Sequence, residues 1–213
     1  MGILVVLEGL DGAGKRTLIG KVVDELRRSG TTVATLDFPR YGQSIHADLA
    51  AEALKGAHGD LAQSVNAMAV LFALDRAGAA EKVAELLSTN DIVLLDRYVA
   101  SNAAYNAARM HQGVDGEMVA WVGDLELGRL GLPVPDLQMY LDVPIALANE
   151  RARSREVEDS TRERDAYERD GDLQVRTGEL YSQLAAAEWV SPWWVIGPDT
   201  DPSDLARKLV DFG

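Results

Sequence analysis

A glycine-rich segment near the start of the chain has the residue types that bind a polyphosphate. In residues 9–17 a glycine is followed by four residues and then by Gly14-Lys15, which is the Walker A spacing. Glycines let backbone amides surround phosphate oxygens, the following helix directs its positive end at the anion, and the lysine reaches the outer phosphates. An incidental glycine-rich turn is disfavoured because a buried strand precedes the segment and a helix follows it. We predict a P-loop that binds a polyphosphate through Gly9, Gly12, Ala13, Gly14, Lys15, Arg16 and Thr17.

This P-loop departs from the usual pattern at Arg16. A Ser or Thr normally stands there, and its hydroxyl binds Mg²⁺. Thr17 comes one position too late to be assumed to replace it. A magnesium ion at this site would therefore depend on other ligands.

A second chemical signal is the acid–arginine pair Asp96-Arg97, at the end of a predicted strand. An acid at that place can order the water shell of a metal ion, as a Walker B aspartate does. Arg97 would point into the same crevice, where a guanidinium suits a second phosphate. A plain strand-end ion pair is the alternative, and the nearby P-loop favours the functional interpretation.

A third signal is the arginine-rich segment 151–164. A solvated helical face is the simple interpretation of such a charge run. Arg151 and Arg155, however, lie four residues apart on one helical face, where like charges repel, and few apolar residues follow them. We therefore expect a mobile lid at about 151–164 that closes over phosphates, with its arginines as candidate catalytic cations.

The elements that must position these residues alternate between short apolar strands and amphipathic helices. This pattern predicts an α/β fold with a parallel five-stranded sheet covered by helices on both faces, the P-loop NTPase type of architecture. Ligands of such sheets bind at the carboxyl ends of the strands, which is where Glu8-Gly9, Phe38-Pro39-Arg40 and Asp96-Arg97 fall. The predicted strands are residues 3–7, 33–38, 92–95, 137–141 and 193–196, and the predicted helices include 15–28, 44–55, 61–87, 101–111, 116–130 and 202–210.

The amino-acid composition limits which partners, chemistry and cellular locations are possible. A net charge of −13 over 213 residues argues against a nucleic-acid partner but permits a local cluster of cations in a cleft. The absence of cysteine excludes disulfides and thiolate chemistry. No apolar run is long enough for a membrane helix and no signal peptide is recognisable, so we expect no membrane partner and a cytoplasmic location. We find no internal repeat or linker, and we predict a single domain over residues 1–213.

Several motifs together resemble the bacterial thymidylate kinase family, and most closely its actinobacterial members. The resemblance covers nearly the whole chain and is far more specific than the P-loop alone. It is carried by the segments Glu8 to Lys15, Phe38-Pro39-Arg40-Tyr41, Phe72-Ala73-Leu74-Asp75-Arg76, Asp96 to Tyr105, Leu132-Pro133-Val134-Pro135-Asp136 and Asp165-Ala166-Tyr167-Glu168. It implies the nucleoside monophosphate kinase architecture, with ATP as phosphate donor and dTMP as acceptor.

The resemblance also implies roles for single residues at the dTMP site. Phe72 would stack on the thymine ring and Arg76 would bind its carbonyl edge. Asn102 would pair with the N3 edge, and Tyr105 would crowd the 2′ position of the sugar. The remaining dTMP-binding residues implied are Asp11, Phe38, Tyr41, Arg97 and Tyr167. Without the resemblance, plain core packing would be the preferred interpretation of Phe72.

A Mg²⁺ site and a homodimer are implied by the same resemblance. Asp11, Asp165 and Glu168 would approach the metal ion, and Asp11 would also serve the sugar 3′-hydroxyl. The acidic run 156–159 departs from a fully basic lid and leaves the number of catalytic lid arginines open.

The mechanism that follows needs no general base. The second pKa of a 5′-phosphate lies near ~6, so the attacking oxygen is already ionised at neutral pH. Catalysis must instead bring two anions together by positioning and charge neutralisation. The catalytic residues expected for this are Lys15, Arg97, Arg155 and Asp11.

Three alternatives stay open at this point. A deoxynucleoside kinase shares the P-loop and the acid–arginine pair but needs a carboxylate base at the 5′-hydroxyl. A GTPase-like switch would carry an Asn-Lys-x-Asp guanine motif, which the sequence lacks. A non-catalytic P-loop protein would bind ATP without turning over any monophosphate.

Overall fold

Five short apolar segments pair into a parallel sheet in the computed structural model, which describes residues 2–158 and 166–213. The strand order is β2-β3-β1-β4-β5. The register places Leu7 opposite Asp96 and Asp37 opposite Asp96, so the carboxyl ends of three neighbouring strands align. The predicted parallel sheet is confirmed, and its strands are β1 Ile3–Glu8, β2 Val33–Asp37, β3 Ile92–Asp96, β4 Leu137–Leu141 and β5 Trp193–Ile196.

Helices cover both faces of this sheet, because alternate strand residues enter different cores. Leu4 and Val6 of β1 belong to one apolar cluster, and Val5 and Leu7 belong to another. The helices on the first side include α4 Ala80–Thr89, α5 Val99–Arg109, α6 Glu117–Gly123 and α9 Gly171–Ala186. Those on the second side are α1 Lys15–Arg28, α7 Ile145–Glu158 and α10 Pro202–Phe212. The remaining helices are α2 Ile45–Leu54, α3 Val65–Ala77 and the short α8 Ala166–Arg169.

The single helix predicted for residues 61–87 is wrong. A short 3₁₀ turn, Leu61–Gln63, comes first, and Ser64 then caps α3 by accepting a hydrogen bond from the Ala67 amide. The chain bends again at Gly78, where an added Cβ would lie 3.0 Å from Nη2 of Arg40. A side chain from the β2–α2 loop thus lies close to the backbone between α3 and α4.

The helix predicted for residues 116–130 changes its hydrogen-bond pattern part of the way along. After α6 the backbone continues as a π-helical turn, Asp124–Arg129, in which the Leu130 amide bonds Leu125 O at 2.9 Å. Such wide turns are rare and frequently occur at functional sites. Within residues 2–158 and 166–213, no helix combines the length and apolar character needed to cross a membrane.

Candidate active site at the carboxyl ends of the strands

A cleft of about 1040 Å³ opens at the carboxyl ends of the strands. Its walls come from the P-loop, the β2 and β3 ends, and helices α3 and α5. Gly9 and Ala13 of the predicted site are buried within the P-loop. Most of the other predicted residues line the cleft together: Asp11, Gly12, Gly14, Lys15, Arg16, Thr17, Phe38, Tyr41, Phe72, Arg76, Arg97, Asn102, Tyr105 and Tyr167.

The P-loop depends on glycine for its backbone path. Gly12 and Gly14 have φ values of 79° and 100°, and Gly14 caps α1 in the left-handed conformation. Gly9 meets the neighbouring strand so closely that a Cβ there would lie 3.0 Å from Leu141 O. The loop therefore delivers backbone amides and the N-terminus of α1 to the cleft.

Lys15 is 7% exposed and folds back along its own loop. Its Nζ donates to Gly9 O at 3.1 Å and to Leu10 O at 3.0 Å, and it lies 4.0 Å from Oδ1 of Asp96. Burial, assisted by the charge of Arg97, lowers the pKa of Lys15 to about 8. An anion placed in the cleft would offset this desolvation, so Lys15 is prepared to bind phosphate.

Asp37 and Asp96 line the cleft beside the P-loop. Burial and the neighbouring Asp96 raise the pKa of Asp37, and the positive charge of Arg16 opposes that shift. Arg16 and Thr17 are both exposed and line the cleft, so the atypical arginine of the P-loop faces the site.

Arg97 is held in place by several side chains of the site. Its backbone is left-handed, with φ at 67°, and its Nη2 lies 2.7 Å from Oδ1 of Asp11. Nη1 donates to Ser101 Oγ at 3.0 Å and to the Tyr181 hydroxyl at 3.2 Å. The guanidinium also lies 5.4 Å from the ring centroid of Tyr105. These partners fix a cation beside the P-loop, as an acceptor phosphate would require.

Asp11 connects this arginine to α5. Its Oδ2 accepts a hydrogen bond from the Tyr105 hydroxyl at 2.8 Å. Burial by itself would raise the pKa of Asp11, but Arg97 and Lys15 outweigh burial and lower this pKa to about 2. Asp11 is therefore ionised at neutral pH and keeps both neighbours aligned.

Glu8 belongs to the same network, although the sequence analysis gave it no role. It is fully buried and accepts hydrogen bonds from the Tyr98 amide at 2.8 Å, from Ser101 Oγ and from the Tyr181 hydroxyl. Burial raises the pKa of Glu8, opposed by its hydrogen bond with Ser101 and the charge of Arg97. An acid that ends a buried strand directly before a P-loop was the available signal, whereas Tyr181 lies 173 residues away and gave none.

The far end of the cleft holds the residues predicted to bind the base. Phe72 packs, partly buried, against the cluster that contains Ala50 and Met68, and it also lines the cleft. Its position is therefore compatible both with core packing and with contact to a ligand. Arg76 and Asn102 line the same end, and both donate hydrogen bonds to Glu126, which the sequence analysis missed. Glu126 lies 50 residues from Arg76 in the π-helical turn, and no local pattern links them.

Aromatic rings close one side of the cleft. The rings of Tyr105 and Tyr167 stack with centroids 6.0 Å apart, and Arg109 lies 5.0 Å from the Tyr167 ring. Phe38 is buried against Tyr98, with centroids 6.0 Å apart, whereas Tyr41 is half exposed. Phe38 can thus support the cleft wall and Tyr41 can reach its opening.

The predicted lid is described only in part. Residues 151–158 continue α7, and Arg151 Nη1 donates to Ala13 O of the P-loop at 3.0 Å. The side chains of Arg155 and Glu168, and all of Asp165, lie outside the described part of the chain. The contact of Arg151 attaches the start of this segment directly to the P-loop.

The carboxylates available for a metal ion are few in the described structure. Among its residues there is no cluster of three His, Cys, Asp or Glu side chains with metal-binding spacing. Mg²⁺ in phosphoryl-transfer sites commonly uses one or two carboxylates together with substrate phosphates. Asp96 fits that demand, because its buried Oδ1 accepts no hydrogen bond within residues 2–158 and 166–213. Both oxygens of Asp11 already accept hydrogen bonds from Arg97 and Tyr105.

The parallel sheet, the P-loop and the arginine beside it define a P-loop phosphotransferase of the nucleoside monophosphate kinase class. The family model described as thymidylate kinase matches residues 7–191. The chain therefore belongs to the thymidylate kinase family.

Individual relatives agree with this assignment. The chain is 57% identical over 207 residues to the thymidylate kinases of Mycobacterium tuberculosis strains CDC 1551 / Oshkosh and ATCC 25618 / H37Rv, a match that covers 97% of both chains. It is 31% identical over 214 residues to a probable thymidylate kinase of Thermococcus gammatolerans, covering 99% of this chain and 95% of the other. The mycobacterial relatives confirm the resemblance to actinobacterial members.

Proposed function

We propose that the chain transfers the γ-phosphate of ATP to the 5′-phosphate of dTMP, giving dTDP. The observation that carries this proposal is a single cleft lined by the P-loop lysine, by Arg97, and by Phe72, Arg76 and Asn102. Membership of the thymidylate kinase family supports the choice of acceptor.

The protein's contribution to the reaction is electrostatic. Lys15 would neutralise the β and γ phosphates of the donor, and Arg97 would bind the acceptor phosphate. Both cations are desolvated and already hydrogen-bonded, so little reorganisation accompanies phosphate transfer. The acceptor phosphate is a dianion near neutral pH, and no side chain has to remove a proton from it.

Magnesium is part of the proposal. When bound, the ion would supply positive charge to neutralise the donor phosphates. Asp96, whose Oδ1 accepts no hydrogen bond from the described residues, is the described carboxylate best suited to hold the ion or its water shell. Asp11, Asp165 and Glu168 remain predicted ligands, and Asp11 would also act by orienting Arg97.

The lid, the oligomer and the location are proposed on narrower grounds. Arg155 lies one helical turn after Arg151, whose contact with Ala13 O brings this helix to the P-loop. Closure of residues 151–164 over the nucleotide would bring Arg155 to the transferring group. The homodimer and the cytoplasmic location rest on the resemblance and on composition, and light scattering after gel filtration tests the dimer.

A coupled ADP-release assay over a panel of nucleosides and nucleoside monophosphates tests the function. We expect dTMP to be the best acceptor and thymidine to be inactive. Arg97→Ala and Arg155→Ala should each lose most of the turnover. Arg207→Ala, which removes an exposed arginine paired only with Asp204 in the described structure, is the matched control and should retain it.

Each alternative class has its own signature in that assay. Phosphorylation of thymidine but not dTMP would indicate a deoxynucleoside kinase. A preferred purine acceptor would refute the base site. ATP binding without turnover of any monophosphate would indicate a non-catalytic P-loop protein.

A further inference from the structure

Glu8, the last residue of β1, caps helix α5 from outside that helix. Its Oε1 accepts hydrogen bonds from the amides of Tyr98 at 2.8 Å and of Ser101 at 3.2 Å. Tyr98 directly precedes α5, and its own side chain makes no capping hydrogen bond there. The first amides of a helix need acceptors, and a carboxylate also suits the positive end of the helix. Oε1 of Glu8 is therefore committed to backbone donors.

The second carboxylate oxygen of Glu8 faces two hydroxyl groups. Ser101 Oγ donates to Oε2 at 2.5 Å, and the hydroxyl of Tyr181, on α9, donates to the same oxygen at 3.1 Å. The two hydroxyl oxygens lie 2.7 Å apart. Each hydroxyl has one hydrogen, so that of Ser101 is used on Glu8 and that of Tyr181 is used on Glu8 or on Ser101. Both hydrogens therefore point away from Arg97.

Arg97 donates to the lone pairs that these two hydroxyls keep free. Its Nη1 donates to Ser101 Oγ at 3.0 Å and to the Tyr181 hydroxyl at 3.2 Å, and its Nη2 donates to Oδ1 of Asp11 at 2.7 Å. These partners hold three of the five donors of a guanidinium. Arg97 also lines the cleft, where its other donors can meet the oxygens of a phosphate.

Burial leaves the hydroxyls dependent on the carboxylate. Glu8 and Tyr181 are 0% exposed and Ser101 is 8% exposed, so bulk water cannot take over the role of Glu8. We propose that Glu8 is a positioning residue for the acceptor phosphate, because it turns the lone pairs of Ser101 and Tyr181 towards Arg97 and so fixes the guanidinium. The inference rests on the proposed function, which makes the 5′-phosphate the ligand of Arg97.

The substitution Glu8→Gln separates this role from the capping of α5. The two amides that donate to Oε1 keep the amide oxygen of the glutamine in that place, so the new NH₂ group replaces Oε2. It donates to the hydroxyls of Ser101 and Tyr181, and their own hydrogens are then free to turn towards Arg97. Donors then face donors at Nη1 of Arg97, while α5 keeps its cap.

The decisive measurement is the ratio of the Kd for thymidine to the Kd for dTMP, from calorimetric titration. Thymidine has the same base and sugar but no phosphate, so the ratio reports the phosphate contact alone. Because hydrogen bonds to charged groups are strong, we expect the ratio to fall by about tenfold in Glu8→Gln and by about threefold in Tyr181→Phe, which removes one acceptor of Nη1. The KM for ATP should stay unchanged. A merely structural role would weaken the binding of both ligands together and leave the ratio unaltered.

Each variant has a matched control. Asp136→Asn makes the same acid-to-amide change near the other end of β1, where Oδ2 of Asp136 accepts from the Leu4 amide at 2.7 Å. Tyr140→Phe removes the hydroxyl of a buried ring that stacks on Tyr181, with centroids 5.3 Å apart. Neither residue lines the cleft as the described residues form it, and both controls should keep the wild-type ratio. If Glu8→Gln fails to fold, Tyr181→Phe decides the question.

The outcomes separate this inference from the proposed function. Wild-type protein that fails to phosphorylate dTMP refutes the function, and the binding ratios then still test the role of Glu8. Folded variants that keep the wild-type ratio within about twofold overturn the inference and leave the function standing. A wild-type ratio near one also overturns the inference, because Arg97 then holds no acceptor phosphate.

Discussion

The ion pair between Asp11 and Arg97 leads to a prediction about stability. Asp11→Asn keeps nearly the same side-chain shape but removes the charge that faces Arg97. In the native protein Nη2 of Arg97 lies 2.7 Å from Oδ1 of Asp11. Lowering the pKa of Asp11 from its ordinary 3.8 to about 2 corresponds to about 2.4 kcal/mol of folding free energy at neutral pH. The Asp11 side chain is 31% exposed, and solvent screening reduces this figure to about 1–2 kcal/mol. We therefore expect Asp11→Asn to lose about 1–2 kcal/mol of unfolding free energy at pH 7.

The pH dependence gives this prediction its sign. The pKa of Asp11 is lower in the folded state than in the unfolded state, so the stabilisation is fully present above about pH 4. It is lost as the pH falls through about 2, and roughly half of it should be gone at pH 3. Protonation of Asp11 in the wild type then removes the same charge that the substitution removes.

Urea unfolding followed by circular dichroism at pH 7, 4 and 3 measures the difference between wild type and Asp11→Asn. Asp199→Asn, an exposed carboxylate in the loop after β5, is the matched control and should change stability little at any pH. Equal stability of wild type and Asp11→Asn at pH 7 would refute the reasoning. So would a difference at pH 7 that stays undiminished at pH 3.

Two further predictions concern the P-loop. Gly9→Ala should lose about 1–3 kcal/mol of stability, because φ is 149° and the new Cβ would lie 3.0 Å from Leu141 O; denaturant unfolding measures it. The control Gly20→Ala, in open space on α1, should gain up to about 1 kcal/mol, and equal effects at the two sites would contradict the strain. Binding of ATP should raise the pKa of Lys15 from about 8, because the phosphates stabilise its charged form. Lys15 should therefore take up roughly 0.7 of a proton per ATP bound at pH 8.5, and about 0.1 of a proton at pH 7. Binding therefore weakens as the pH rises through 8, and calorimetry in buffers of different ionisation enthalpy should show the uptake in wild type but not in Lys15→Met.

The strands were predictable because each is a short apolar run next to a turn residue. All five appear within a residue or two of the predicted ends. The single helix predicted for residues 61–87 is wrong, because its apolar spacing continues through Gly78 whereas the structure ends α3 at Ala77 and begins α4 at Ala80. The Arg40 side chain beside Gly78 is fixed by Asp75 at 2.9 Å, a pairing across 35 residues.

The site residues also divide into those that the sequence pattern placed and those whose roles came from the family resemblance. Glycine spacing and the charged ends of two strands were enough to place Lys15, Asp96 and Arg97 at one edge of a parallel sheet, since such strands end together. The roles of Phe72, Asn102 and Tyr105 came from resemblance and stay predictions, although all three line the cleft.

The sequence by itself therefore determined the sheet, the P-loop and the family, because local spacing and apolar periodicity are properties of the chain. Only the tertiary structure revealed how the site residues are oriented. Glu8 meets Tyr181 and Arg76 meets Glu126 across long separations, and the side-chain oxygen of Asn106 accepts no hydrogen bond from the described residues. A hydrogen bond in a buried site depends on which groups the fold brings within about 3 Å, and residue order along the chain does not encode that distance locally.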